Sequence, residues 1–330
     1  MSDNNRLLWA DSLKGILMVL VVLGHAIQEV LKQGCFDSHV WCLIYSFHMP
    51  AFMAISGFVS FHKGGGAKFS TIVRRFQQLI IPFIIWALIR LVINPPYTIK
   101  ALGNVFLYPD GSFWFLWVLF FITVLFVFGD WISERFKVKQ ELVIGTLCVG
   151  LVTLMVFVEI RILGFQFISY YFLFYTMGYY LHKYNRLVSH NSILLIVLGV
   201  IWFVMGWFWN MHNLPVFLSS FPLPQSFMQY SYRFLTAVVA IYVLFGVSSN
   251  VLDNNKKWNL PMLELGKISL GIYTSHMIIM PFIVKGISAI TKNTMLIITG
   301  AFVVSLVVSW VLVWLLSKWR FTSRLLLGKI

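Results

Sequence analysis

Read for apolar runs about 20 residues long, the length a helix needs to cross the hydrocarbon core of a bilayer, the chain alternates between greasy stretches and short polar breaks. About ten runs stand out, over 13–31, 39–61, 77–94, 112–130, 142–159, 166–182, 192–210, 229–248, 268–287 and 295–317. The longest breaks are "HKGGGAKFSTIVRR", "NPPYTIKALGNVFLYPDG", the uncharged and proline-rich "WNMHNLPVFLSSFPLPQ", and "SSNVLDNNKKWNLPMLELGK". None has room for a soluble domain. The predicted fold is all-α, a polytopic integral membrane helix bundle of about ten transmembrane helices forming one domain over residues 1–330. Segment 209–225 reads in two ways: as a stretch dipping back into the interface, where protein or water must satisfy its backbone, or as a plain interfacial connector.

Composition supports the same class. The 330 residues are 59% hydrophobic and 17% aromatic but only 11% charged, too little polar surface to cover a soluble globule of this length. The first apolar run follows Asp3, Arg6 and Asp11, is too long for the apolar core of a signal peptide and lacks a small-x-small cleavage site, so it is expected to remain as a span. Cys35, Cys42 and Cys148 are an odd number with two inside spans, and imply no disulfide framework.

The net charge of +14 raises the question of nucleic acid, and the placement of the basic residues answers it. With the N-terminus inside, the inner segments hold Arg6 and Lys14; Lys63, Lys68, Arg74 and Arg75; Arg135, Lys137 and Lys139; Lys183 and Arg186; Lys256, Lys257 and Lys267; and Lys318, Arg320, Arg324 and Lys329. The outer loops hold only Lys32, Lys100, Arg161, Lys285 and Lys292. This is positive-inside bias, and it places both termini in the cytoplasm. The basic surplus then meets anionic headgroups of the lipid bilayer, with no nucleic-acid partner required. Oligomeric state is not legible in the sequence.

The polar residues inside the runs carry the chemistry. Five of the eight histidines (His39, His62, His182, His190, His212) fall at or beyond span ends, whereas His25, His48 and His276 lie deep in spans one, two and nine. At about 1.5 Å per residue all three fall in the middle third of the bilayer. A single intramembrane histidine is compatible with a structural hydrogen bond between helices. Three at one depth suggest a shared cavity, because intramembrane ionisable groups are costly and usually functional. No carboxylate or cysteine joins them at ligand spacing, so no metal site is expected.

On span one, Lys14 and His25 are eleven residues apart, which returns them to within ~20° of one helix face and roughly 16 Å apart along it. Asp11, Gln28 and Glu29 fall near that face. Glu29, one turn beyond His25, either orients the imidazole or marks a solvated span end. Lys68, Arg74 and Arg75 form a second basic feature, explained by positive-inside bias or, beside Lys14, by a cytoplasmic pocket for a phosphorylated ligand. Arg90 and Arg233 sit near the outer ends of spans three and eight, where they snorkel or line an acceptor cavity. None of the eleven acidic residues is placed deep in a span, which disfavours a proton- or cation-coupled transporter. The aromatic blocks "GSFWFLWVLFF", "YYFLFYTMGYY" and "IWFVMGWFWNMH" are belts and packing first, and aromatic faces also suit sugar rings.

Several of these stretches resemble one family. "WADSLKGILMVLVVLGHA" resembles the opening of the bacterial membrane acyltransferase 3 family, in which Arg or Lys precedes His with ten residues between them; Lys14 and His25 match. "YSFHMPAFMAISGF" resembles the second-helix block of its fucose 4-O-acetylase-like sugar O-acetyltransferase branch. "FWFLWVLF", with Trp114, and "LGKISLGIYTSHM", with Tyr273 and His276, are similar to later blocks. The resemblance runs from about residue 9 to 317. It departs where the family reads Arg-x-x-Arg before span three: here the sequence is Arg75-Phe-Gln-Gln78.

The resemblance implies a single transmembrane acyltransferase domain in a bacterial inner membrane. It would move an acyl group, most often acetyl, from cytoplasmic acetyl-CoA or another acyl-CoA to a hydroxyl of an extracytoplasmic or lipid-linked sugar or polysaccharide. Lys14, Arg74 and Arg75 are then the donor-binding residues. His25 is a general base or forms an acyl-histidine, while His48 and His276 orient it, bind the acceptor or stabilise the oxyanion. Glu29, Arg90, Trp114, Arg233 and Tyr273 are candidates for acceptor binding. The competing functional class is a transporter or flippase for a glycan or small anion, using the same basic and aromatic lining.

Overall fold

A computed structural model of the chain describes residues 7–62, 69–94, 98–111, 113–158, 160–184, 191–252 and 259–329. Arg6, Lys63, Lys68, Arg186, Lys256 and Lys257 of the charge pattern, with Asp3 and His190, lie outside the described residues. Among those described there is no strand. The helices are α1 (Leu8–Leu31), α2 (His39–Tyr45), α3 (His48–Ser60), α4 (Phe69–Arg75), α5 (Ile81–Ile93), α6 (Ile99–Leu107), α7 (Trp114–Phe136) and α8 (Gln140–Val158). They continue as α9 (Phe165–Lys183), α10 (Ser192–Trp207), α11 (Gln225–Val251), α12 (Leu260–Lys267), α13 (Ser269–Ile290), α14 (Thr294–Leu316) and α15 (Arg320–Leu327).

The protein is all-α and polytopic. Eight helical segments among the described residues are long and apolar enough to cross a membrane: Leu8–Asp37, His39–Ser60, Phe69–Ile93, α7, α8, α11, α13 and α14. The other two predicted runs form α9, in which tyrosines dilute the apolar character, and α10, only 16 residues long. Several helices extend beyond their predicted runs, α11 at both ends. α1 begins at Leu8 and α7 continues to Phe136, where Lys137 closes it in the left-handed conformation (φ 54°). Asp11 and Asp130, which the sequence reading left at span ends, are therefore inside helices and buried by protein. Each has a partner: Asp11 receives Lys14 Nζ at 3.3 Å, and Asp130 accepts from the Gln140 amide.

The described residues form two compact units, one of Met1–Ile55 with Tyr184–Leu312, the other of Ser56–Lys183 with Val313–Ile330. In the first, α1 packs along α12 and α13, with α2 and α11 also against it. The α1–α12 crossing is backbone on backbone. A Cβ on Gly15 would stand 1.9 Å from the Met262 carbonyl oxygen, and one on Gly266 1.8 Å from that of Asp11. Only glycine fits at either position. The 209–225 connection is tied down at its start, with Trp209 buried and the Asn210 amide donating to the Phe36 carbonyl at 3.0 Å, while Val216, Phe217 and Phe221 are exposed.

In the second unit, α7, α8 and α9 pack together, α4 lies on α7, and α15 lies on α5. Lys183 on α9 reaches Glu141 at 2.6 Å and the Gln140 carbonyl oxygen at 2.5 Å. These contacts join the ends of α8 and α9 through satisfied polar groups.

Candidate active site

Pro50 determines where His48 stands. It has no N–H for the Ser46 carbonyl four residues back, and its ring crowds that carbonyl. The helix breaks one turn before the proline, between Tyr45 and His48. Pro50 itself fits in the first turn of α3, where an N–H has no partner to lose. Phe47 N–H closes a tight turn on the Ile44 carbonyl at 3.3 Å, and His48 Nδ1 lies 2.7 Å from the same oxygen. A carbonyl only accepts, so the proton is on Nδ1 and the neutral ring keeps its lone pair on Nε2.

His276 repeats the arrangement on α13, its Nδ1 2.7 Å from the Ile272 carbonyl. The side chain is fully buried, and Nε2 has no hydrogen-bond partner among the described residues. A bare buried acceptor is costly, which singles this nitrogen out. Tyr273, one turn back, holds its ring 6.2 Å from that of His276.

His25, on α1 and half-buried, has its ring 5.3 Å from His276 and 6.3 Å edge-on from Tyr45. The Tyr45 ring also stands 4.6 Å edge-on from His48 and is stacked at 3.8 Å on Trp41. Its hydroxyl donates to Gln28 Oε1 at 2.8 Å. Gly24 makes room for it: a Cβ there would lie 2.8 Å from the Tyr45 ring. Three imidazoles from three separate helices and one tyrosine thus form a continuous cluster.

One turn beyond His25 on α1, a pocket of about 220 Å³ is lined by Gln28, Glu29, Lys32, Gln33, Cys35 and Phe36. Glu29 and Lys32 pair at 2.5 Å, so the charge is balanced, and the rest of the lining is two amides with Cys35 and Phe36. That is smaller than a drug-sized cavity and of a size for one ring. Among the described residues, no three His, Cys, Asp or Glu side chains converge to hold a metal ion.

The other sequence candidates divide between the units. His25, His48, His276, Glu29 and Tyr273 come together in the first, with Lys14 at the opposite end of α1 and Arg233 over the Trp209 ring at 5.4 Å. Arg74, Arg75, Arg90 and Trp114 belong to the second. There Arg75 Nη1 donates to Gln78 Oε1 at 3.3 Å, Arg90 to the Gly111 carbonyl at 2.5 Å, and Trp114 lies against Tyr171 and Phe167. Sequence reasoning did not select Tyr45, Trp41 or Gln33. Tyr45 precedes His48 by three residues and Gln28 follows His25 by three; pairing those offsets across two helices was the available signal.

A family model described as an acyltransferase domain matches residues 7–314. The chain is 27% identical over 293 residues to the nodulation protein NolL of Sinorhizobium fredii, covering 82% of this chain and 77% of that protein. It is 37% identical over 142 residues to the nodulation protein NolL of Mesorhizobium japonicum, covering 37% of this chain and 35% of that one. No solved structure matches.

Proposed function

The chain belongs to the acyltransferase 3 family and is a multi-pass membrane acyltransferase, and from that premise we propose that it moves an acetyl group from cytoplasmic acetyl-CoA to a hydroxyl of an extracytoplasmic or lipid-linked sugar. The observation that carries this reading is the histidine cluster, with a bare, buried His276 Nε2 beside the His25 ring. His25 is the general base. As it takes the hydroxyl proton, the sugar oxygen bonds to the thioester carbonyl carbon; the tetrahedral oxyanion then expels the thiolate, which recovers the proton from His25. One C–O bond forms, one C–S bond breaks, and one proton passes from hydroxyl to thiol. An imidazole suits both halves of that transfer at neutral pH.

His276 is a positioning residue in this scheme. Its Nε2 lone pair, without a hydrogen-bond partner among the described residues, would accept the N–H of His25 as the base takes up its proton, which sets the His25 tautomer and steadies the imidazolium during attack. His48 and Tyr45 border the acceptor side, and the Gln28–Phe36 pocket holds the sugar ring, its balanced charge favouring a neutral acceptor. Lys14, roughly 16 Å along α1 from His25, takes the anionic end of the donor, leaving the thioester arm to span the interval. The membrane concerned is the bacterial inner membrane.

The test is acetyl transfer from radiolabelled acetyl-CoA into envelope glycan by membranes carrying wild type or His25→Ala. Label incorporated by the wild type and lost from a stably folded variant supports the assignment. Transfer by the variant within tenfold of wild type removes His25 as the base.

A further inference from the structure

The second unit also carries a cationic pocket, formed around α15. α15 ends on Gly328, which caps it at φ 61°, and the N–H groups of Gly328 and Lys329 turn back to the Ser323 carbonyl. This brings Lys329 to Arg320, Ser323 and Arg324, and the four line a pocket of about 240 Å³. No acidic side chain is among them. Arg320 and Arg324 are one turn apart on one helix face, where like charges repel.

The helix is held in place despite that repulsion. Trp86 Nε1 donates to the Leu326 carbonyl at 2.9 Å. Gly328 lies on the Gln78 carbonyl so closely that a Cβ would stand 2.2 Å from its oxygen. Pro82 explains why that carbonyl is available: it has no N–H for Gln78 four residues back, and the helix there opens into a π turn over Phe76–Ile80. Arg75, which donates to the Gln78 side chain, keeps a buried Nε without a hydrogen-bond partner among the described residues. One unpartnered guanidinium N–H therefore belongs to the residue whose Gln78 partner carries the turn on which α15 rests.

We propose that the Arg320–Ser323–Arg324–Lys329 pocket binds a phosphate ester. Two planar guanidinium forks, an ammonium and a hydroxyl converging without an acid are the donor set that phosphate oxygens satisfy. The pocket accommodates a phosphate and its immediate substituents, not a whole coenzyme. Two sources share this chemistry. One is the nucleotide end of the acyl donor, a source that rests on the function proposed above and would replace Lys14 as the contact of the donor's anionic end. The other is an anionic lipid headgroup, which exposed Trp319 (60%) and Phe321 (74%) beside the pocket would meet as interfacial anchors.

The experiment uses the full chain in nanodiscs, comparing wild type, Arg320→Gln/Arg324→Gln, and Arg324→Lys. Both arginines are exposed, so the double variant is expected to fold. One arm titrates adenosine 3′,5′-bisphosphate in neutral phosphatidylcholine discs; the other measures the thermal shift produced by adding phosphatidylglycerol. A loss of nucleotide affinity of about tenfold or more in the double variant, partly restored by lysine, supports the pocket and assigns the donor. A lost lipid shift with nucleotide binding intact supports it and assigns the headgroup. If both responses equal wild type, the site is overturned. If wild type neither binds nucleotide nor transfers acetyl while the lipid shift still depends on the arginines, the donor reading fails and the phosphate site stands.

Discussion

The rings of His25 and His276 stand 5.3 Å apart with a 48° tilt, and the Nδ1 of His276 is tied to the Ile272 carbonyl on its own helix. One imidazole thus has its orientation set by backbone, while its free nitrogen is left in the cluster beside the other. A base whose tautomer is held by a neighbour needs no reorganisation when it receives a proton.

If His276 acts through His25, His276→Ala should lower kcat and leave both KM values near wild type. Losing a hydrogen bond to a charged group costs about 1.5–3 kcal/mol, or roughly 10- to 150-fold in rate. Steady-state kinetics with acceptor and donor varied separately decide this. A rise in acceptor KM at constant kcat would place His276 in acceptor binding instead.

Tyr45→Phe should preserve the ring stack on Trp41 and remove the hydroxyl's bond to Gln28, a loss of about 0.5–1.5 kcal/mol. Gly24→Val should be worse, since its side chain enters the space of the Tyr45 ring. Transfer assays paired with tryptophan fluorescence of Trp41 separate the two. Equal, small effects from both variants would show that the ring position does not matter.

Gly15→Ala and Gly266→Ala should each destabilise the protein by about 1–3 kcal/mol through overpacking, because both added methyl groups meet backbone carbonyls that cannot move aside. Gly103→Ala, with nothing within 4 Å, is the control. Thermal unfolding in detergent should show clear drops for the first two and none for the third.

Lys14→Ala should raise the acetyl-CoA KM more than the acceptor KM, since Lys14 is eleven residues from the imidazole that handles the acceptor. Removing the cation also removes the 3.3 Å Lys14–Asp11 ion pair, so the measurement includes a melting curve; a KM effect confined to the acceptor would contradict the placement.

The histidines were legible before the structure because lipid makes each polar residue in an apolar run conspicuous. The site around them was less so. Spacing alone does not set Tyr45 and Trp41 apart from the many other aromatics, and what distinguishes them is a hydroxyl meeting Gln28 seventeen residues away and a stack beside His48. The break at Ser46 lies one turn before Pro50, because proline acts on the carbonyl four residues before it. Asp11 and Asp130 were read at span ends because apolar periodicity stops before a helix does.

From the sequence alone came the membrane class, the helical architecture and the three candidate histidines: a bilayer requires every spanning backbone group to be satisfied within its own helix, so apolar length is enough to specify a span. Which spans touch was decided only by tertiary structure. Gly15 on Gly266, Tyr45 on Gln28 and Gly328 on Gln78 join residues far apart in the chain. Such contacts depend on complementary shape at close approach, and no single segment carries that information.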